Sequence, residues 1–157
     1  MLQLVKKRLK EQKGMTLIEL LAVIVILGII SAIAIPSILG LMDNSKKDAH
    51  VANARQMINS AKMAVSGDST LQPKDKDNPV KITLADLQKK GYIESVKDPD
   101  GGTYDTSNSF VLISVDDSGD FSYSVYLTND TRGVGTKSSP AKEDELKRDS
   151  VTNNKPS

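Results

Sequence analysis

The sequence predicts an α+β fold. One long N-terminal helix, half transmembrane and half amphipathic, packs on a small antiparallel β-meander, and a disordered C-terminal tail follows. Three observations carry this. Leu20 to Met42 holds no charged residue, which exceeds the ~20 apolar residues that cross the ~30 Å hydrocarbon core of a bilayer as a helix. Beyond it, Val51, Ala54, Ile58, Ala61 and Val65 recur with Met57 and Ala64 beside them, the stripe of a helix with one buried face. Phe110 to Val115 is almost wholly apolar, and Phe121, Tyr123, Val125 and Leu127 alternate with Ser122, Ser124 and Thr128, the two-residue period of half-buried strands.

The amino end comes first in the chain. Five basic residues, Lys6, Lys7, Arg8, Lys10 and Lys13, precede the apolar run, so the amino terminus is expected in the cytoplasm and everything after Met42 outside. Two details do not fit an ordinary anchor. Glu19 puts a carboxylate just inside the apolar stretch, where a charge is costly and signals a function. Gly14 puts a residue without a Cβ between the leader and the run, an unhindered backbone for a protease. A cut after Gly14 makes Met15 the new amino terminus, with Glu19 one helical turn along on the same face. The carboxylate then sits in the first turn, where the helix dipole favours it. The α-amino group of this or a neighbouring chain can serve as its cation.

Lys13-Gly14-Met15-Thr16-Leu17-Ile18-Glu19-Leu20-Leu21 resembles the class III signal of type IV pilins and type II secretion pseudopilins. Met15 stands where that family most often has Phe, and Pro36 falls where it often has a proline. The resemblance covers about the first third of the chain. It implies that a membrane prepilin peptidase, which is also the N-methyltransferase, cuts after Gly14 and methylates Met15. It also implies that the mature chains assemble with one another and with other pilins into a helical filament, Thr16, Glu19 and Pro36 being the assembly residues. The further partners implied are the inner-membrane assembly platform with its ATPase, and membrane lipid before assembly. The subunit is then a single-pass membrane protein first and part of an extracellular filament afterwards, serving adhesion, motility, DNA uptake or secretion.

Two other readings use the same residues. Ala32-Ile33-Ala34 matches the small-x-small pattern of a secretory cleavage site, which would release a secreted binding domain starting near Ile35. An uncut signal anchor would instead hold such a domain at the membrane. The first places Glu19 at the start of its apolar core and Pro36 almost on its cut; the second gives Glu19 no purpose.

The rest of the chain has room for one small domain. The net charge of +1 is uneven, because residues 1–14 contribute +4 and leave the remainder at −3, which argues against a strongly basic nucleic-acid surface. With no cysteine, the domain must hold together by packing; among pilins this fits those of monoderm bacteria. The divisions expected are a leader at 1–14, a transmembrane and filament-core helix at 15–42, a globular domain at 43–128 and a polar flexible tail at 129–157.

Within the domain, Asp43 and Lys47 are spaced to support the helix, and Ser66-Gly67-Asp68 ends it, about 75 Å from Thr16 if it is continuous at 1.5 Å per residue. Pro36 leaves the Ala32 carbonyl without a donor, so a bend or local melting is expected there. A polar loop from Ser69 to Pro79 leads to a short helix capped by Thr83, with Asp86 in its first turn and Gly91 past its end. Asp116 to Asp120 reads as a hairpin loop with Gly119 left-handed. After Asn129 only scattered apolar residues remain, and a charged helix at 141–148 would have Leu146 alone to bury.

No enzyme pattern is present. His50 is the sole histidine and reads as a solvated helix residue. Gly133-Val134-Gly135 is too short for a phosphate loop. Related pseudopilins hold calcium with loop carboxylates, and Asp98, Asp100, Asp105, Asp116, Asp117 and Asp120 raise that chemistry. Yet Asp is the usual residue of such turns and the spacing is not that of an EF-hand. No metal and no cofactor are therefore assigned.

Overall fold

The structure is a computed structural model and describes residues 16–153. It divides into two compact units, one ending at Met42 and one beginning at Asp43. Helix α1, Leu17–Gly67, supplies all the described regular structure of the first unit and opens the second. In the first unit every leucine, isoleucine, valine and methionine from Leu17 to Met42 is exposed, so none of the described residues covers them. The helix runs unbroken through Pro36, and the local melting expected there is not found. Ser37 Oγ donates to the Ile33 carbonyl beside it, at 3.2 Å.

In the second unit the helix presents Ala54, Met57, Ile58, Ala61, Ala64 and Val65 to a sheet. The three alanines are fully buried, and their small size lets the helix backbone approach the strands closely. After a 3₁₀ turn at Ser69–Leu71, strand β1, Val80–Thr83, leads into the short helix α2, Leu84–Lys89. Thr83 caps α2 as its composition implied. Its hydroxyl accepts from the Asp86 N–H at 3.1 Å, and the Asp86 carboxylate accepts from the Thr83 N–H at 3.4 Å, a reciprocal capping box.

Strands β2, Phe110–Val115, and β3, Phe121–Thr128, pair antiparallel from Phe110↔Tyr126 to Val115↔Phe121. The loop between them turns as expected. Gly119 has φ +87°, a conformation that costs other residues a Cβ clash, and the Asp116 side chain accepts the Ser118 and Asp120 amides. Val111, Ile113, Val125 and Leu127 point to the helix and are buried.

The carboxyl segment differs from its expectation as a flexible tail. Residues 132–153 build three further strands: β4, Arg132–Val134, β5, Ala141–Lys142, and β6, Val151–Asn153. The sheet runs β1-β2-β3-β4-β6, with β5 on the free part of β3, and every pairing is antiparallel. The expected helix at 141–148 is replaced by β5 and a 3₁₀ turn at Glu143–Glu145. Each strand buries one apolar side chain or none, so no hydrophobic period marks them in the sequence. What holds them is backbone pairing to β3 and β4, the burial of Val134, Leu146 and Val151, and bonds to α1. Arg55 donates to the Leu146 carbonyl, Lys62 pairs with Glu143, and Arg148 pairs with Asp48 through two nitrogens. Gly135, at φ +70°, leaves no space for a side chain, since a Cβ there would lie 2.5 Å from the Ala141 amide nitrogen. Residues 154–157 of the expected tail lie outside the described residues.

Two substitutions test this packing by thermal unfolding followed by circular dichroism. Ile58→Asp places an unpaired charge in the core and should abolish the cooperative transition of the domain. Leu146→Ala should cost about 2–5 kcal/mol; an unchanged melting temperature would return the carboxyl segment to the status of a tail.

Candidate functional site

The amino end of the first unit holds the residues singled out for processing and assembly. Gly14 and Met15 lie outside the described residues. Thr16 and Glu19 are described, and they form a capping box at the start of α1. The Thr16 N–H donates to Glu19 Oε2 at 2.7 Å, the Thr16 hydroxyl donates to the same oxygen at 2.9 Å, and the Glu19 N–H donates to Thr16 Oγ1 at 3.2 Å. The second carboxylate oxygen, Oε1, has no partner among the described residues. Among the described residues the carboxylate is thus half satisfied, by Thr16 on one oxygen. Glu19 is in the first turn, as the sequence indicates; its bond to Thr16 was not anticipated, although Thr-x-x-Glu is the spacing of a capping box. Pro36 lies 17 residues further along the helix and makes no contact with this pair.

A second group of polar residues lies in the domain, and there the expectation for His50 is overturned. His50 is buried, with only 1% of its surface exposed. Its Nε2 lies 2.9 Å from Asp100 Oδ2 and 3.9 Å from Asp98 Oδ1. Its Nδ1 lies 2.7 Å from the Tyr104 hydroxyl, and the two rings meet edge to face. A carboxylate can only accept, so Nε2 carries a proton. Asn53 donates to the same Tyr104 oxygen and to the Lys97 carbonyl. Asp98, also buried, accepts the Asp100 amide on one oxygen and the Asn129 side chain on the other. Arg132 reaches Asp43 at 2.6 Å and Asp100 at 3.2 Å, and Lys46 comes within 3.4 Å of Asp100. The sequence marks only Asp98 and Asp100 of this group, as acidic turn residues, because its members come from α1, from the loop before β2 and from β4, as much as 89 residues apart.

Charge balance fixes the behaviour of these side chains. Burial pushes the Asp100 carboxyl up, but the His50 hydrogen bond and the Arg132 charge outweigh it and hold the group below the usual carboxylate range. Burial pushes the Tyr104 phenol up to about 12. His50, Asp98 and Asp100 bring ligand-type atoms within 4.8 Å of one another, the one arrangement among the described residues that resembles a metal site. Their donors and acceptors are already engaged, however, and a divalent ion would face Arg132 and Lys46 beside the same carboxylates. The group works as a closed ion network. The loop aspartates Asp105 and Asp116 are likewise spent on turn amides.

Comparison with known proteins turns on the amino end. Residues 9–35 match the family model of the prokaryotic N-terminal methylation motif. The amino end of the chain carries this motif. The chain is also 28% identical over 105 residues to the type II secretion system core protein G of Vibrio cholerae, a match that spans 62% of this chain and 72% of that protein. No solved structure matches it. The α+β arrangement, a long apolar amino-terminal helix packed in its second half on an antiparallel sheet, accords with these likenesses.

The network predicts how stability depends on pH. A carboxyl whose folded pKa is lowered contributes stability that is complete above its unfolded value, roughly 3.9, and is lost as the pH falls through the folded value. Tyr104 acts in the opposite sense: its contribution is complete below roughly pH 10 and is lost as the pH rises further. Urea denaturation from pH 3 to 11 should therefore show a plateau with a fall at each end. Asp100→Asn should lower the plateau and flatten the acid limb, and Tyr104→Phe should flatten the alkaline one.

Proposed function

We propose that this chain is the precursor of a type IV pilin-like structural subunit, cut after Gly14, N-methylated at Met15 and polymerised into a cell-surface filament. The observation that carries the reading is the apolar half of α1. Its large side chains from Leu17 to Met42 are all exposed in the single chain, it is long and apolar enough to cross a membrane, and it begins inside the matched methylation motif. Such a surface requires lipid or other copies of itself as cover. Before assembly the bilayer fills that role, with the amino end in the cytoplasm and the domain outside. In the filament, neighbouring helices replace the lipid. A cut near Ala34 would sever α1 in mid-helix, which weighs against release as a secreted domain.

In this reading the partners are a prepilin peptidase with N-methyltransferase activity, other pilin subunits, and an inner-membrane assembly platform with its ATPase. The likeness to a secretion-system core protein supports the pseudopilin end of the family's range. Glu19 sets axial register. Its free oxygen accepts the α-amino group of Met15 on an adjacent chain, and a misplaced subunit leaves both charges unpaired in an apolar core. A lone carboxylate in the bilayer costs about 2.5–3.5 kcal/mol on insertion scales; the Thr16 donors reduce that cost while the subunit waits. Pro36 supplies a soft point, one backbone hydrogen bond short.

Mass spectrometry of the mature amino terminus tests the processing directly, with N-methyl-Met15 expected; a terminus at Ile35, or an intact Met1, would replace this reading by one of the other two. Gly14 replaced by a bulky residue should leave precursor in the membrane. Glu19→Ala should leave insertion and cleavage intact, while the yield of sheared filaments drops at least about tenfold, the equivalent of losing about 1.4 kcal/mol of pairing. Normal filament yield from that variant would remove the register role.

A further inference from the structure

On α1, the face that meets the sheet changes chemistry at residue 53. From Ala54 to Val65 it is buried and, apart from Ser60, apolar. In the preceding turns the same face carries Asp43, Lys46, His50 and Asn53, at the i+3 and i+4 spacing that keeps residues in line. Each of these four contacts residues outside the helix. Asp43 is held by Arg132, Lys46 and His50 by Asp100, and Asn53 by the Lys97 carbonyl and the Tyr104 hydroxyl. Asp100 is the hub, since His50, Arg132 and Lys46 converge on its two oxygens. Only Val51, at the border of the stripe, adds apolar burial to this stretch.

We propose that helix residues 43–53 are fastened to the loop 97–104 and to Arg132 by a polar latch that opens as a unit, separately from the apolar core beyond it. Apolar contacts are non-directional and hold regardless of ionic conditions. Charge pairs at a half-exposed rim, such as Asp43–Arg132 and Lys46–Asp100, are screened by salt and contribute little each. The latch is therefore the weaker of two adjoining cooperative segments, and proteins open first where buried apolar contacts are few. When it opens, the helix from Ala54 keeps its seat on β2 and β3, while the turns just after Met42 lose their hold on the domain.

The absence of cysteine gives a direct test. In the full chain in detergent micelles, Val51→Cys reports the latch and Ala61→Cys reports the core, each labelled with iodoacetamide, which is neutral. Val51→Cys should react about tenfold faster than Ala61→Cys, and its rate should rise when NaCl goes from 0.05 to 1 M. Adding Lys46→Ala, a rim change that leaves no buried charge on the helix side, should raise the Val51→Cys rate about two- to fivefold more. The Ala61→Cys rate should respond to neither. If Val51→Cys is indifferent to both salt and Lys46→Ala, or if the two cysteines speed up together, the latch does not open on its own and the proposal is overturned.

Discussion

Between Ala54 and Val65 the long helix lays alternating small and large side chains, Ala54, Met57, Ile58, Ala61 and Val65, against Val111, Ile113, Val125 and Leu127 of the two central strands. The rest of the domain depends on this contact. Burying a side chain such as Met57 or Ile58 contributes about 1.5–3 kcal/mol, and a sheet of short strands is not stable without a helix or second layer to cover its face. The alanines matter as much as the larger residues, because they set the distance at which the strands can pack. With no disulfide to assist, β1, α2 and the carboxyl strands are all recruited to finish enclosing this layer: Ile82, Leu84, Leu87, Val134, Leu146 and Val151 each close one side.

Where that apolar stripe stops, the helix is held by charge instead. Burying Asp98, Asp100, His50 and Arg132 together is tolerable only because each carboxylate and ring nitrogen meets a donor or acceptor, since an unsatisfied buried charge costs several kcal/mol. The same requirement makes the group unsuited to catalysis. Its members are too well satisfied and too enclosed to offer a reactive atom to solvent. It serves to position the loop before β2 and the turn into β4 against the helix.

The first unit poses the opposite problem. Its helix satisfies its own backbone except at Pro36, nearly the condition for lying in lipid, but its large apolar side chains are uncovered by the described residues. The Thr16–Glu19 box addresses one local difficulty of that arrangement. It closes the first helical turn, worth about 1 kcal/mol for a cap, and gives one carboxylate oxygen two donors. A residue that is stable while waiting and still able to accept another bond would suit the proposed exchange of lipid for neighbouring subunits.

Much of this was legible in the sequence where signals are local and periodic. The 3.6-residue stripe from Val51 to Val65, the alternation through Phe121 to Leu127, the Thr83 cap and the left-handed Gly119 each depend on residues close in the chain, and the structure has them as expected. The charge-free run and the motif matched at residues 9–35 were equally plain, because each is a continuous local stretch of sequence. The carboxyl strands and the His50 network were not legible, for one physical reason. A strand of two or three residues with a single buried side chain, such as Val151 in β6, is stabilised by partners it meets only after folding, and its own composition is that of a loop. Likewise His50 looks solvated until Asp98, Asp100, Tyr104 and Arg132 arrive from distant parts of the chain. The sequence by itself determined the helix, its two halves and the meander; the tertiary structure alone decided which polar residues are buried, because burial there rests on long-range pairing and not on hydrophobicity.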